Sequence, residues 1–182
     1  IPEINKIDSV LKHTGSKYLA ADNNKLIKKH KKIRIDLNAI AKGYGVDILF
    51  NYIKSLGYKN LFVEIGGEVR FSGHNRNLDN WKIGLENPPS ISTHSENPFF
   101  AVFQGESIAI ATSANYRNFV DLDGTILGHT INPKTGFPIQ TNVLSVSVIA
   151  QSCMEADAWA TALMSLSYKE GYKILLNYKN IG

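Results

Sequence analysis

The apolar pattern changes period abruptly around residue 57, and that change limits the fold more than any other feature of the sequence. Over residues 38–56, Val46, Leu49, Phe50, Ile53 and Leu56 recur at three- and four-residue steps, and Gly57 follows as a stop. This spacing predicts an amphipathic helix. Residues 60–65 are then a short apolar run ending in Gly66-Gly67, and residues 68–71 resume an extended pattern. Strand, tight turn and strand is the simplest reading.

Further strands are predicted where Trp81, Ile83 and Leu85 alternate with polar residues, where Leu144, Val146 and Val148 do the same, and over residues 99–103 and 107–111. Residues 90–98 and 132–138 carry Pro, Gly, Asn and Ser breaks without periodicity and read as loops. A last helical block starts near Ser152, with Glu155 at the spacing of a capping box. It runs to about residue 166, and a second helix follows from Tyr168. Helices interspersed with strands predict a mixed α/β or α+β domain. The pattern does not reveal the strand order.

At 182 residues, with 43% hydrophobic and 20% charged residues, the chain is long enough to bury one core, so residues 1–182 are read as one domain. No stretch reaches the roughly 20 apolar residues that span a bilayer, and the N-terminus lacks the charged-then-apolar pattern of a signal peptide. A mature, truncated or cytoplasmic chain is expected on that ground. The single cysteine, Cys153, rules out an internal disulfide and a cysteine-based zinc site. Much of the net charge of +4 sits at Lys25, Lys28, Lys29, Lys31, Lys32 and Arg34. No aromatic residues interleave with these lysines, so the segment reads as a solvated hairpin edge and no nucleic-acid partner is expected.

Several residues carry possible chemistry. Asp157 and Thr161 lie four apart on the last helical block and share a face, presenting a carboxylate and a hydroxyl together. Both are oxygen ligands suited to a hard cation such as magnesium. The same pair also reads as an early-turn aspartate favoured by the helix dipole beside an ordinary helix-face threonine. His129 precedes the proline- and glycine-fixed run Thr-Ile-Asn-Pro-Lys-Thr-Gly-Phe-Pro, and an imidazole held in this way suits a general base. An ordinary surface or core histidine is the plainer reading, as for His13, His30, His74 and His94. Gly66-Gly67 and residues 111–115 are places where backbone amides and hydroxyls approach a phosphate or ring, or else ordinary turns. Gly43 and Gly45 sit inside the predicted helix at a cost of about 1 kcal/mol each relative to alanine, which points to close packing or ligand approach.

Four segments, completed by a helix, resemble the FAD:protein FMN transferase family, long labelled thiamine-biosynthesis lipoproteins. They are residues 35–47 (Ile-Asp-Leu-Asn-Ala-Ile-Ala-Lys-Gly-Tyr-Gly-Val-Asp), 63–70 (Val-Glu-Ile-Gly-Gly-Glu-Val-Arg), 111–117 (Ala-Thr-Ser-Ala-Asn-Tyr-Arg) and 128–138, with the helix at 155–163. The resemblance implies an α+β, T-fold-like flavin-transferase domain in which a mixed sheet packs with helices. It also implies that the N-terminal part of the family fold is absent from this chain.

The activity it implies is magnesium-dependent transfer of FMN from FAD to a threonine of an acceptor flavoprotein, releasing AMP. By the same carry-over, His129 is the base, and the side chains of Asp157 and Thr161 with the main-chain carbonyl of Ala41 hold magnesium. Lys42 lies near the diphosphate or the nucleotide, while Gly66, Gly67, Glu68, Thr112 and Ser113 line the flavin nucleotide site. The partners implied are FAD and acceptor subunits of membrane redox pumps, and the implied location is extracytoplasmic and lipid-anchored. The chain departs from the family pattern at Ala114-Asn115, where Gly-Asp is usual, and at Asn132, where Asp is usual. Hydrolysis of FAD to FMN and AMP and flavin binding without catalysis are the alternative readings.

Overall fold

The structure, a computed structural model, describes residues 3–88, 97–115, 119–122, 125–128, 130–139, 141, 143–178 and 181–182. Its centre is a four-stranded antiparallel sheet in the order β10-β7-β4-β3, built from β3 (Leu61–Ile65), β4 (Glu68–Ser72), β7 (Ser107–Ala114) and β10 (Ser145–Ala150). Helices α2 (Asn38–Ser55) and α3 (Cys153–Met164) lie on one face of this sheet, and the hairpin of β5 (Trp81–Glu86) and β6 (Phe99–Gly105) covers the other.

Strand alternation explains the layering. Leu61, Val63, Ala109, Ala111, Val148 and Ala150 pack with Val46, Phe50, Ala156, Ala160 and Leu163 of the helices. Val69, Phe71 and Ile110, one position out of phase, pack instead with Trp81, Ile83, Leu85 and Phe103 of the hairpin. Alanines dominate the contact with α3, so that helix comes close to the strands. The predicted turn at Gly66-Gly67 joins β3 to β4 with φ of +60° and +98°, the left-handed pair that a two-residue hairpin needs.

The helix predicted over residues 38–56 forms as α2, with Leu56 as its C-cap and Gly57 beyond it at φ +93°. Its buried face is rotated from the expected one: Gly43, Val46, Asp47 and Phe50 are buried, whereas Leu49 and Leu56 are exposed. Apolar spacing missed this because the buried face includes a glycine and a charge. Of the two readings of residues 111–115 the turn does not form, since residues 111–114 extend strand β7.

The lysine-rich segment does form a hairpin, β1 (Leu19–Asp22) with β2 (Lys25–Lys28), through the left-handed residues Asn23 and Asn24. It is a separate ribbon outside the central sheet, and its pairing ends at Lys28. Helix α1 (Ile4–Leu11), the hairpin of β8 (Phe119–Leu122) and β9 (Thr125–Gly128), and the 3-10 turn at Ser16–Tyr18 were not legible from the sequence. The second C-terminal helix is α4 (Tyr168–Leu175). Among the described residues no helix is long and apolar enough to cross a membrane.

The capping box expected at Ser152 forms only in part: the Ser152 hydroxyl accepts from the Glu155 amide at 3.2 Å. A complete box closes at Ser167 and Glu170, at the start of α4. At Ser152 the helix is finished from a distance. Asp47 of α2 accepts the amides of Cys153 at 3.0 Å and Met154 at 2.9 Å, and the Ala156 amide reaches the Ser152 carbonyl. The amides of Cys153, Met154 and Glu155, which the helix itself leaves open, are thereby all satisfied, and the regular ladder begins at Ala156.

Candidate functional site

The site is set by the way α2 and α3 cross. A Cβ on Gly43 would lie 2.3 Å from the Cys153 carbonyl oxygen and 2.8 Å from Asp157 Cβ, so only glycine allows this approach. The Gly43 amide then donates to Asp157 Oδ2 at 3.0 Å. Close packing is thus the reason for Gly43, whereas a Cβ on Gly45 would meet only the Ile65 Cδ1 atom, at 3.4 Å.

From this crossing a cavity of about 980 Å³ opens between the helices, the end of β7 and the β5–β6 hairpin. Such a volume is at the upper end for small-molecule sites. Lys42, Gly66, Gly67, Thr112, Ser113, Asp157 and Thr161 all line it, so seven residues singled out in the sequence come together here. Thr161 Oγ1 lies 3.4 Å from Ser113 Oγ. Thr112 shares a hydroxyl–hydroxyl hydrogen bond with Ser147 at 2.8 Å. The Gly67 amide is already engaged, donating to Glu64 Oε1 at 2.8 Å.

Glu68 is 2% exposed and reaches the site through Lys42, whose Nζ donates to Glu68 Oε1 at 2.6 Å. Among the described residues its other oxygen, Oε2, is buried with no hydrogen-bond partner. Burial raises the Glu68 carboxyl above its usual range despite the opposing Lys42 ammonium, and the nearby Asp157 adds to the rise. Burial likewise raises Asp157, against the Gly43 amide and Lys42.

Ala41 precedes the Gly43–Asp157 contact by two residues in α2 and is exposed. His129 lies outside the described residues; the residue after it, Thr130, lines the cavity and donates to Asn115 Oδ1 at 3.2 Å. The loop beyond is tied down by an Ile131–Pro138 bridge and by Asn132, whose carbonyl accepts the Gly136 amide at 2.7 Å. At Gly136 (φ +74°) a Cβ would strike Ile7 of α1, so that helix rests directly on the loop.

The sequence reading overlooked Asp36, Asn38, Glu64 and the apolar wall of Ile83, Gly84 and Leu85. Asp36, Asn38 and Glu64 stand inside segments already noticed, so their position beside Lys42 and Gly66 was the available signal. The hairpin wall had no such signal, because alternating strand residues look alike whether they meet core or ligand. Among the described residues no three His, Cys, Asp or Glu side chains gather as a metal cluster.

The layered fold encloses a cavity large enough for a small molecule of nucleotide size, bordered by oxygen donors and a lysine. The chain matches the model of the ApbE family over residues 1–181 and belongs to that family. Among curated relatives, the FAD:protein FMN transferase of Vibrio cholerae serotype O1 is 41% identical over 161 residues, covering 88% of this chain and 47% of the relative. That of Escherichia coli K12 is 34% identical over 179 residues, covering 96% and 50%. The chain therefore spans about half the length of the curated relatives it matches.

Among solved structures, the flavin transferase ApbE from Vibrio cholerae superposes with a TM-score of 0.79 at 35% identity, covering 100% of this chain and 56% of the other. The ApbE protein of Thermotoga maritima gives 0.82 at 31% identity, covering 98% and 56%. The α+β class with a sheet packed by helices is shared with these structures.

Proposed function

We propose that this chain carries the phosphoryl-transfer part of an FAD:protein FMN transferase, which moves FMN from FAD to a threonine of an acceptor protein and releases AMP. The observation that carries this reading is the convergence of Lys42, Asp157, Thr161 and the hydroxyls of Thr112 and Ser113 on one cavity of nucleotide size. In the reaction the threonine oxygen bonds to the FMN phosphorus as the anhydride bond to AMP breaks, and His129 takes the hydroxyl proton. Displacement at phosphorus depends mainly on positioning and charge stabilisation, so no protein nucleophile is required.

The residues present fit a hard cation. Asp157 is 3% exposed, yet it lines the cavity together with Thr161, and burial raises its pKa against the Gly43 amide and Lys42. Asp157, Thr161 and the Ala41 carbonyl would hold magnesium, a sparse oxygen set completed by water and phosphate oxygens. When bound, magnesium supplies neutralisation of the diphosphate charge. Lys42 offers its ammonium at the cavity edge, and Ile83 and Leu85 offer an apolar wall to the flavin ring. The acceptors we infer are membrane redox-pump subunits, and the location is extracytoplasmic and lipid-anchored; both rest on the family resemblance.

The test is to mix the chain with FAD, Mg²⁺ and an acceptor bearing a flavinylation threonine, then follow acceptor mass and AMP together, with a longer family member alongside. A flavin-sized mass gain matched by AMP supports transfer, and AMP without mass gain assigns hydrolysis instead. Loss of both, while the longer protein works, would show that the matched half is insufficient for catalysis. His129→Ala should abolish transfer and leave FAD binding largely intact; full activity in that variant removes the base assignment.

A further inference from the structure

We propose that Asp47 is the positioning residue that fixes where α3 presents Asp157 and Thr161 to the cavity. This inference rests on the reading of the cavity as the nucleotide and cation site. Asp47 is 8% exposed, and both of its carboxylate oxygens are engaged. Oδ1 accepts from the Cys153 amide and, at 2.6 Å, from Arg70 Nη1, while Oδ2 accepts from the Met154 amide. Arg70 is itself fixed, with its guanidinium 4.5 Å above the Phe50 ring.

Asp47 and Gly43 are one helical turn apart on the buried face of α2. Each binds α3 at a different level: Asp47 at the first two amides and Gly43 at Asp157. The two grips fix both the axial position and the rotation of α3, and Thr161 follows one turn beyond Asp157. A carboxylate facing a helix N-terminus is also favoured by the dipole, so the arrangement is stabilised as it stands. Asp47 does not line the cavity, and its effect on any ligand passes through α3.

The Asp47→Asn variant keeps the shape but loses the charge opposite Arg70 and one of the two acceptor oxygens. Groups that orient metal ligands typically alter affinity by about 10–100-fold when mutated. We therefore expect Mn²⁺, titrated by electron paramagnetic resonance with and without FAD, to bind Asp47→Asn at least about tenfold more weakly. FAD affinity, read from flavin fluorescence, should change far less.

Ser152→Ala supplies the structural control. It removes the adjacent cap at Glu155, should lower the melting temperature, and should leave Mn²⁺ affinity unchanged. Should Asp47→Asn fail to fold, Asp47→Glu keeps the charge, displaces α3 by a methylene and is expected to weaken Mn²⁺ in the same assay. Parental Mn²⁺ affinity in a folded Asp47 variant, with affinity lost in Asp157→Ala, overturns the proposal alone. Parental affinity in Asp157→Ala overturns the cation site and the proposal with it.

Discussion

Replacing Gly43 and Gly45 separately by alanine makes the same chemical change twice in one helix, two residues apart, with opposite expected signs. At Gly45 the new methyl meets only the mobile end of Ile65, at 3.4 Å. Removing a helix-interior glycine should then add about 0.5–1 kcal/mol of stability. At Gly43 the methyl would lie 2.3 Å from a backbone carbonyl oxygen of α3, which cannot rotate aside as a side chain can. Overpacking of this kind costs about 1–3 kcal/mol. Taking the upper end, because backbone must move, and subtracting about 1 kcal/mol of helix propensity leaves a net loss of roughly 2 kcal/mol. Urea unfolding followed by circular dichroism measures both variants, with unchanged denaturant slopes confirming that midpoints report stability. The two should differ by about 2.5–3 kcal/mol. A Gly43→Ala protein as stable as the parent would refute the claim that helix contact, and not ligand approach, selects this glycine.

Asp157 and Glu68 are both held above the ordinary carboxylate range by burial, so at these two groups the native chain binds more protons than the unfolded one. Their contribution to stability should be fully present below the ordinary carboxylate pKa and lost as pH rises through the raised values. Saturating Mg²⁺ should reduce that loss, which melting curves with and without the ion at pH values from about 4 to 7 would reveal. Lys42→Met should cost about 1–2 kcal/mol at neutral pH, the lower part of the range for orphaning a buried group, because Lys42 is half exposed. Adding Glu68→Gln should recover most of that loss in urea unfolding. Cys153, buried with its thiol pushed up to about 12, should react with a thiol reagent only as fast as the chain opens, and stopped-flow labelling in the native state tests this.

The parts of the fold legible in the sequence are those where side-chain pattern and backbone geometry coincide. The end of α2 at Gly57, the Gly66-Gly67 hairpin and the Ser152 start of α3 could be read because each needs a particular residue type. The buried face of α2 could not, because Asp47 is inside only by virtue of Arg70 and two amides more than a hundred residues away. Most candidate site residues met in one cavity because they belong to segments that resemble a known family, whereas Asp157 and Thr161 on spacing alone remained an ordinary helix face. Glu64, Asp36 and the β5–β6 wall were overlooked because cavity lining depends on what faces a strand, and that requires the strand order.

The remote capping of α3 also has a consequence for the order in which the chain folds. The donors at its start are satisfied across separations of 106 and 107 residues, and the Gly43–Asp157 bond spans 114. Contacts so distant carry a large loop-closure cost and form late. α3 can fray and re-form locally, but its first turn is secured only after α2 has docked. A partly folded chain therefore cannot display the cavity floor, and the ability to bind a nucleotide there should appear in the same kinetic phase as the completed core.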